Sequence, residues 1–307
     1  MSDKSPVTTL SALTRKGRLV TASQLLRDYW ALTKPEVNCL ILITTFVGFY
    51  LGSANAERQF SLLTLLNTLL GTLLVASGTA TLNQYIERRL DAQMRRTSRR
   101  PLAAGRLEPH AVLAFGIALS AAGSIYLEIT AGVLASLLAL LTLLSYLFLY
   151  TPLKRRTSLC VLVGAFPGAM PPLIGWAAAS GGLSSEAWLL YAILFLWQFP
   201  HFMAIAWMYR EDYDRAGYRM LPGGGARVPV VILQTMLPLL ALVPISITQL
   251  PTQHTATFYW AGLLLGLSFF YFGMEFVRYR SRGAARRLLA ASIVYLPLLL
   301  IIRVTLR

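Results

Sequence analysis

Long apolar stretches alternate with short polar ones along nearly the whole chain. Residues 37–53, 62–86, 112–127, 131–150, 159–178, 188–208, 228–249, 256–274 and 288–302 contain no Asp, Glu, Lys or Arg. A helix rises about 1.5 Å per residue, so about 20 apolar residues cross the hydrocarbon core of a bilayer. The pattern therefore predicts an all-α fold, a polytopic membrane helical bundle of about nine transmembrane helices. The seventh and eighth stretches form one uncharged run, divided at Leu250-Pro251-Thr252-Gln253-His254, where proline and polar residues mark a turn. A tight turn at Glu128 is expected between the third and fourth. Residues 1–35 are polar and basic; they read as a tail without a cleavable signal, with an interfacial helix expected near 25–32. Residues 36–307 then form the membrane domain.

Composition agrees with this pattern: 56% of residues are hydrophobic and 13% charged, about half the charge of an ordinary soluble domain. The net charge of +15 is compatible with nucleic acid, anionic lipid or a phosphorylated substrate. The placement of the charge decides between them. On the alternating topology of nine helices, 25 of the 28 Lys and Arg residues fall on one side, leaving Arg58, Arg303 and Arg307 on the other. The positive-inside rule places that side, and the N-terminus, in the cytoplasm, and the C-terminus outside. The expected location is the inner membrane of a bacterium, with membrane lipid as partner and no nucleic acid. Cys39 and Cys160 form neither a CxxC nor a zinc pattern.

The polar residues that remain are collected rather than scattered. Asn83, Glu87 and Asp91 recur every four residues. Each step advances about 40° around a helix and about 6 Å along it, so the three share one face at the inner end of the second span. Two carboxylates at this spacing repel each other and call for a cation; oxygen ligands of this kind suit Mg²⁺, which bridges to phosphate oxygens. A second acidic cluster, Glu211, Asp212 and Asp214, follows the sixth span on the same side. Two such faces across a bundle can hold one diphosphate. Arg96, Arg100, Lys154, Arg155 and Arg156 adjoin them and suit phosphate oxygens. His201 lies within the sixth span beside Pro200, where a neutral imidazole is able to ligate heme iron or bond a propionate. Gly164, Pro167, Gly168, Pro171, Pro172 and Gly175 crowd the fifth span, where small residues admit close packing and prolines interrupt the helix.

Asn83…Glu87…Asp91…Arg96-Thr97…Arg100-Pro101 resembles the first aspartate-rich motif of the UbiA prenyltransferase superfamily, and Asp212-Tyr213…Ala216-Gly217…Met220-Leu221-Pro222 resembles the second. Three further blocks are similar to the heme-farnesylating branch of that superfamily: Tyr150-Thr151…Leu153-Lys154-Arg155…Thr157, Gly168-Ala169…Pro171-Pro172-Leu173-Ile174-Gly175-Trp176, and Trp197-Gln198…Pro200-His201-Phe202. The likeness runs from about Leu32 to Pro222; beyond that it is mainly one of hydropathy. It departs from the usual pattern at Glu87, where an Asp is common, at Cys160 for an Asn, at Ala165 for a Gly and at Arg219 for a Pro.

The resemblance implies that Asn83, Glu87, Asp91 and Asp212 are catalytic and hold Mg²⁺ with a diphosphate. Arg96, Arg100, Lys154 and Arg155 would grip pyrophosphate or propionates, His201 would face heme, and Tyr150, Gln198 and Glu211 would complete the substrate site. The implied substrates are farnesyl diphosphate and heme b, and the product is heme O, passed on to a heme A synthase. The implied chemistry is electrophilic alkylation: pyrophosphate leaves, a heme vinyl group attacks the farnesyl carbon, and water quenches the cation. Two rival readings are a prenyltransferase acting on an aromatic quinone precursor and a transporter. The Trp-Gln-x-Pro-His block argues against the first. The clustering of acids at one face, rather than near the midplane, argues against the second.

Overall fold

A computed structural model describes residues 13–15, 18–55, 60–221, 227–248 and 256–306. The turn expected at 250–254, Pro222 of the second motif, and the basic residues Lys4, Lys16, Arg58 and Arg307 lie outside the described residues. The chain enters through a short antiparallel strand pair, β1 (Leu13–Arg15) with β2 (Arg18–Val20), which the hydropathy pattern does not announce. Helix α1 (Ala22–Leu32) follows, its first turn capped by the Thr21 hydroxyl.

Nine helices among the described residues are long and apolar enough to cross a membrane. The first four spans are α2 (Pro35–Asn55), α3 (Leu62–Asp91), α4 (Pro109–Ala131) and α5 (Val133–Leu144). Helix α5 runs on through a π-helical turn, Ser145–Tyr150, into α6 (Thr151–Leu153). The fifth span is broken into α7 (Cys160–Gly168) and α8 (Pro171–Ser180). The rest are α9 (Ser185–Met208), followed by the short α10 (Arg210–Arg215), and α11 (Arg227–Ile247), α12 (Ala256–Tyr279) and α13 (Arg282–Thr305). Ser61, Ser184 and Ser281 each accept a bond from the backbone N–H three residues on, satisfying donors that a helix start leaves free.

The turn between the third and fourth spans is not at Glu128, which lies inside α4. It is Gly132, with φ of 98°, a conformation open to glycine and costly for a residue with a Cβ. Helix α3 overruns its apolar block and carries Glu87 and Asp91 on a regular helix.

The helices close around α8, every residue of which from Pro171 to Ala179 is buried; it packs on α2, α3, α5 and α9. Its crossing with α2 depends on Gly175, where a Cβ would overlap the Thr45 carbonyl oxygen and the Phe49 nitrogen. Close approach of two backbones through small residues is a common way to pack helices in lipid, where no hydrophobic drive holds them together. Outward-facing Leu63, Ile129, Phe148, Leu240 and Leu264 are exposed, as expected of a lipid-facing surface. The end of the bundle where α3 meets the 92–108 loop, α6 and α10 carries most of the described arginines and is called the basic end below.

Candidate active site at the basic end

The last three turns of α3 point Asn83, Glu87 and Asp91 into protein, and all three are buried. Glu87 is the hub. Its Oε1 accepts from Lys154 Nζ at 2.9 Å and from the Tyr218 hydroxyl at 2.8 Å, and its Oε2 accepts from Asn83 Nδ2 at 2.9 Å. The Thr151 hydroxyl donates to Asn83 Oδ1 at 3.0 Å. Lys154 is brought there by the π-helical turn and α6, and its ammonium lies 4.5 Å from the Tyr150 ring centroid and 5.7 Å from that of Tyr146. The Lys154 carbonyl accepts from Arg219 N at 2.7 Å, which ties the segment after α10 to α6. Burial disfavours the Lys154 charge, but the Glu87 carboxylate outweighs it and holds the ammonium well above the ordinary lysine range. Burial likewise pushes the Tyr218 phenol up, so it stays a neutral donor.

Asp91 forms the second pair. Arg100 Nη1 donates to its two oxygens at 2.9 and 2.8 Å, and the Thr97 hydroxyl caps the Asp91 carbonyl at 2.9 Å. The 92–100 loop so folded reaches α10: Arg96 N donates to Asp212 Oδ2 at 3.3 Å, and Arg215 Nη1 to Asp212 Oδ1 at 3.0 Å. The Arg96 guanidinium lies over the rings of Tyr209 and Tyr213 and donates to the Tyr213 hydroxyl at 3.1 Å. The two acidic motifs, 116 residues apart between Arg96 and Asp212, therefore meet at one end of the bundle.

Not every expected residue joins them. Arg155 is exposed and enters no ion pair among the described residues. Glu211 is 81% exposed and lies 3.8 Å from Arg210. Gln198 faces α7, where Nε2 donates to the Ala165 carbonyl at 3.1 Å; a Cβ on Gly168 would collide with its amide. His201 faces α13: Nδ1 is 2.8 Å from Ser292 Oγ, and the ring stacks on Trp197 at 4.6 Å. Trp197 Nε1 donates to the Ser292 carbonyl at 2.8 Å. Tyr150 is buried beneath Lys154.

Tyr218 has no signal of motif type in the sequence and reads as an ordinary loop residue. Thr151 stands in the Tyr150-Thr151 block without an assigned role, and its bond to Asn83 Oδ1 supplies one. Lys34 reads as one more basic residue of the tail, yet the charges of Arg100, Lys154, Glu87 and Asp91 act on its ammonium. Burial, then the charges of Arg100 and Lys154, lower its ammonium to about 8.

Comparison with known proteins bears on the family and the fold. The model of the UbiA prenyltransferase family matches residues 41–296. The protoheme IX farnesyltransferase of Solibacter usitatus is 48% identical over 281 residues, covering 89% of this chain and 96% of that protein. The protoheme IX farnesyltransferase of Koribacter versatilis is 41% identical over 308 residues, covering 96% of both. Among solved structures, a digeranylgeranylglyceryl phosphate synthase superposes with a TM-score of 0.70 over 91% of this chain and 97% of that one, at 16% identity. A UbiA homologue from Archaeoglobus fulgidus, bound to GPP and Mg²⁺, superposes with a TM-score of 0.62 over 90% of this chain and 99% of that one, at 14% identity. At such identities these structures speak to the fold alone.

Proposed function

The chain belongs to the UbiA prenyltransferase family, and from that premise we propose that it transfers the farnesyl group of farnesyl diphosphate to a vinyl group of heme b, giving heme O and diphosphate. The observation that carries the choice of acceptor is 48% identity over 281 residues to a protoheme IX farnesyltransferase. The gathering of both acidic motifs, Arg100 and Lys154 at one end of an apolar bundle supports the donor chemistry.

The donor's tail is a C15 hydrocarbon and its head a polyanion, so it lies at a boundary between greasy and charged surroundings. The apolar helices accommodate the tail, and Arg100 and Lys154 face the head. As the C1–O bond breaks, negative charge grows on the departing diphosphate; preorganised cations in a site of low dielectric stabilise that charge most where water is scarce. The vinyl π-electrons form the new bond to C1. Water then adds to the resulting carbocation and loses a proton, leaving a hydroxyethylfarnesyl side chain. Apolar walls limit water near the allylic carbon until that step.

Magnesium belongs to this reading, because the donor set is all oxygen. Among the described residues no three acidic, histidine or cysteine side chains converge. That suits an ion that takes one or two carboxylates and completes its shell with phosphate oxygens and water. Asn83, Glu87, Asp91 and Asp212 would hold it. Each already accepts hydrogen bonds, Asp91 from Arg100, Asp212 from Arg96 and Arg215, Glu87 from Lys154, Tyr218 and Asn83, and Asn83 from Thr151, and would share or exchange those partners with the ion. Bound there, magnesium would neutralise charge on the leaving diphosphate.

Arg96 would also face diphosphate, with Arg155 and Glu211 at the rim. Tyr150 and Gln198 would line the substrate cavity, and His201, whose Nε2 is left by the Ser292 contact, would meet heme. The 25-to-3 division of basic residues supports a bacterial inner membrane location with this site and the N-terminus in the cytoplasm and the C-terminus in the periplasm. Heme O would pass to a heme A synthase. The test is direct: purified protein is incubated with heme b, farnesyl diphosphate and Mg²⁺, with 4-hydroxybenzoate as competing acceptor, and products are weighed by mass spectrometry. The mass of heme O is expected. Farnesylated 4-hydroxybenzoate with unmodified heme would replace this reading by the quinone-precursor one.

A further inference from the structure

Away from the acidic motifs, the last two spans meet in a second collection of charge. Residues 271–290 hold Arg278, Arg280, Arg282, Arg286 and Arg287 against a single acid, Glu275, which is also the only Asp or Glu after Asp214. Arg287 takes that acid: its Nε and Nη2 both donate to the Glu275 carboxylate. The other four arginines enter no ion pair among the described residues, and all five are exposed. Arg278 lies over the Tyr279 ring at 5.6 Å, and Arg280 Nη1 donates to the Val277 carbonyl at 3.1 Å. These contacts orient the charges without neutralising them.

The fold holds these cations close together. The chain turns from α12 to α13 at Arg280, whose φ is 44°, and the Ser281 hydroxyl accepts from Ala284 N at 3.1 Å. Ala284, Ala285 and Leu288 are buried, which fixes the start of α13 in the bundle. Phe276 of α12 meets Trp207 of α9 edge-on at 5.9 Å, so the hairpin lies at the basic end. Arg282 and Arg286 stand four residues apart on one face of α13, where like charges repel. The helix dipole repels cations there too, and no acid in the first turn offsets them.

Depth in the bilayer picks the partner. Both helices are long and apolar enough to cross a membrane. Leu267, Tyr271 and Met274 of α12, with Ile293 and Val294 of α13, are exposed, as side chains facing lipid are. Arg278 follows Met274 by one turn, about 6 Å along the axis, where a span leaves the hydrocarbon and headgroup phosphates begin. Exposed Tyr271 and Tyr279 bracket that level as an interfacial aromatic belt does. We propose that the α12–α13 hairpin is a binding surface for anionic phospholipid, its four unpaired arginines gripping headgroup phosphates while Tyr271 and Met274 lie along the acyl chains. Guanidinium forks match phosphate oxygens, and basic clusters of about this size beside a span attract anionic lipid.

Full-length protein, delipidated in detergent, is titrated with cardiolipin, phosphatidylglycerol and phosphatidylcholine and read by native mass spectrometry. The wild type is compared with Arg282→Gln/Arg286→Gln and with the charge-keeping Arg282→Lys/Arg286→Lys. A third variant, Arg89→Gln/Arg95→Gln, removes two exposed arginines elsewhere at the same end. Loss of two headgroup contacts should weaken binding of both anionic lipids about thirtyfold in Arg282→Gln/Arg286→Gln. The other two variants should bind as the wild type does, and inorganic phosphate at equal concentration should displace nothing. Wild-type cardiolipin affinity in Arg282→Gln/Arg286→Gln overturns the proposal. So does an equal loss in Arg89→Gln/Arg95→Gln, which would make the effect one of net charge, and so does displacement by inorganic phosphate. Phosphatidylcholine binding as tightly as the anionic lipids overturns it as well, and would leave these arginines to topology or to an acidic protein surface.

Discussion

Replacing Glu87 by Gln removes one charge and almost no volume. In the wild type, one carboxylate accepts from Lys154, Tyr218 and Asn83 at 2.8–2.9 Å. The amide keeps one acceptor oxygen but turns an N–H₂ group toward the Asn83 amide donor, and it leaves the Lys154 ammonium without its counter-charge. The Lys154 and Glu87 side chains are 10% and 6% exposed, so solvent screens the loss poorly. Breaking a buried pair by removing one partner costs about 3–5 kcal/mol, whereas removing both charges together costs far less. Glu87→Gln and Lys154→Met should each destabilise by about 3 kcal/mol, and the double variant by less than either alone. The expected coupling is about 3–5 kcal/mol. It is measured by equilibrium unfolding of all four proteins in the same mixed micelles, followed by tryptophan fluorescence and circular dichroism. The folded Lys154 is raised above its unfolded value, so its contribution is complete below the unfolded lysine pKa and is lost only as pH climbs through the folded one. The coupling should therefore be flat from pH 6 to about 9. A coupling below about 0.5 kcal/mol would show that the pair is not the electrostatic hub described here.

Asp91→Ala and Asp212→Ala should each abolish heme O formation while the protein still inserts and purifies as a monodisperse species; normal turnover in either refutes its proposed metal role. Gly175→Ala forces a methyl into the Thr45 carbonyl and Phe49 nitrogen of α2, and should lower the thermal midpoint by several degrees at unchanged pyrophosphate affinity.

Much of this molecule is legible along the chain. Each span is set by the transfer of about 20 consecutive side chains into lipid, a sum over neighbours in sequence that needs no partner. The four-residue spacing of Asn83, Glu87 and Asp91 is likewise a property of one helix. Other features depend on segments far apart in sequence. The pairing of Glu87 with Lys154 and Tyr218 rests on a π-helical turn and on the chain after α10, 67 and 131 residues away. Arg155 beside Lys154, and Glu211 beside Asp212, have the same composition-level appeal as their neighbours, yet one step along a helix turns a side chain by about 100° and leaves both exposed. Tyr218 is the clearest case. In the sequence it is an ordinary loop aromatic; the turn after α10 brings its hydroxyl to Glu87 Oε1. Hydrophobicity and helical spacing are local quantities, and so the sequence alone determines the spans and the motif face. Which charges meet depends on loop geometry and on contacts across the bundle, and these only the tertiary structure decides.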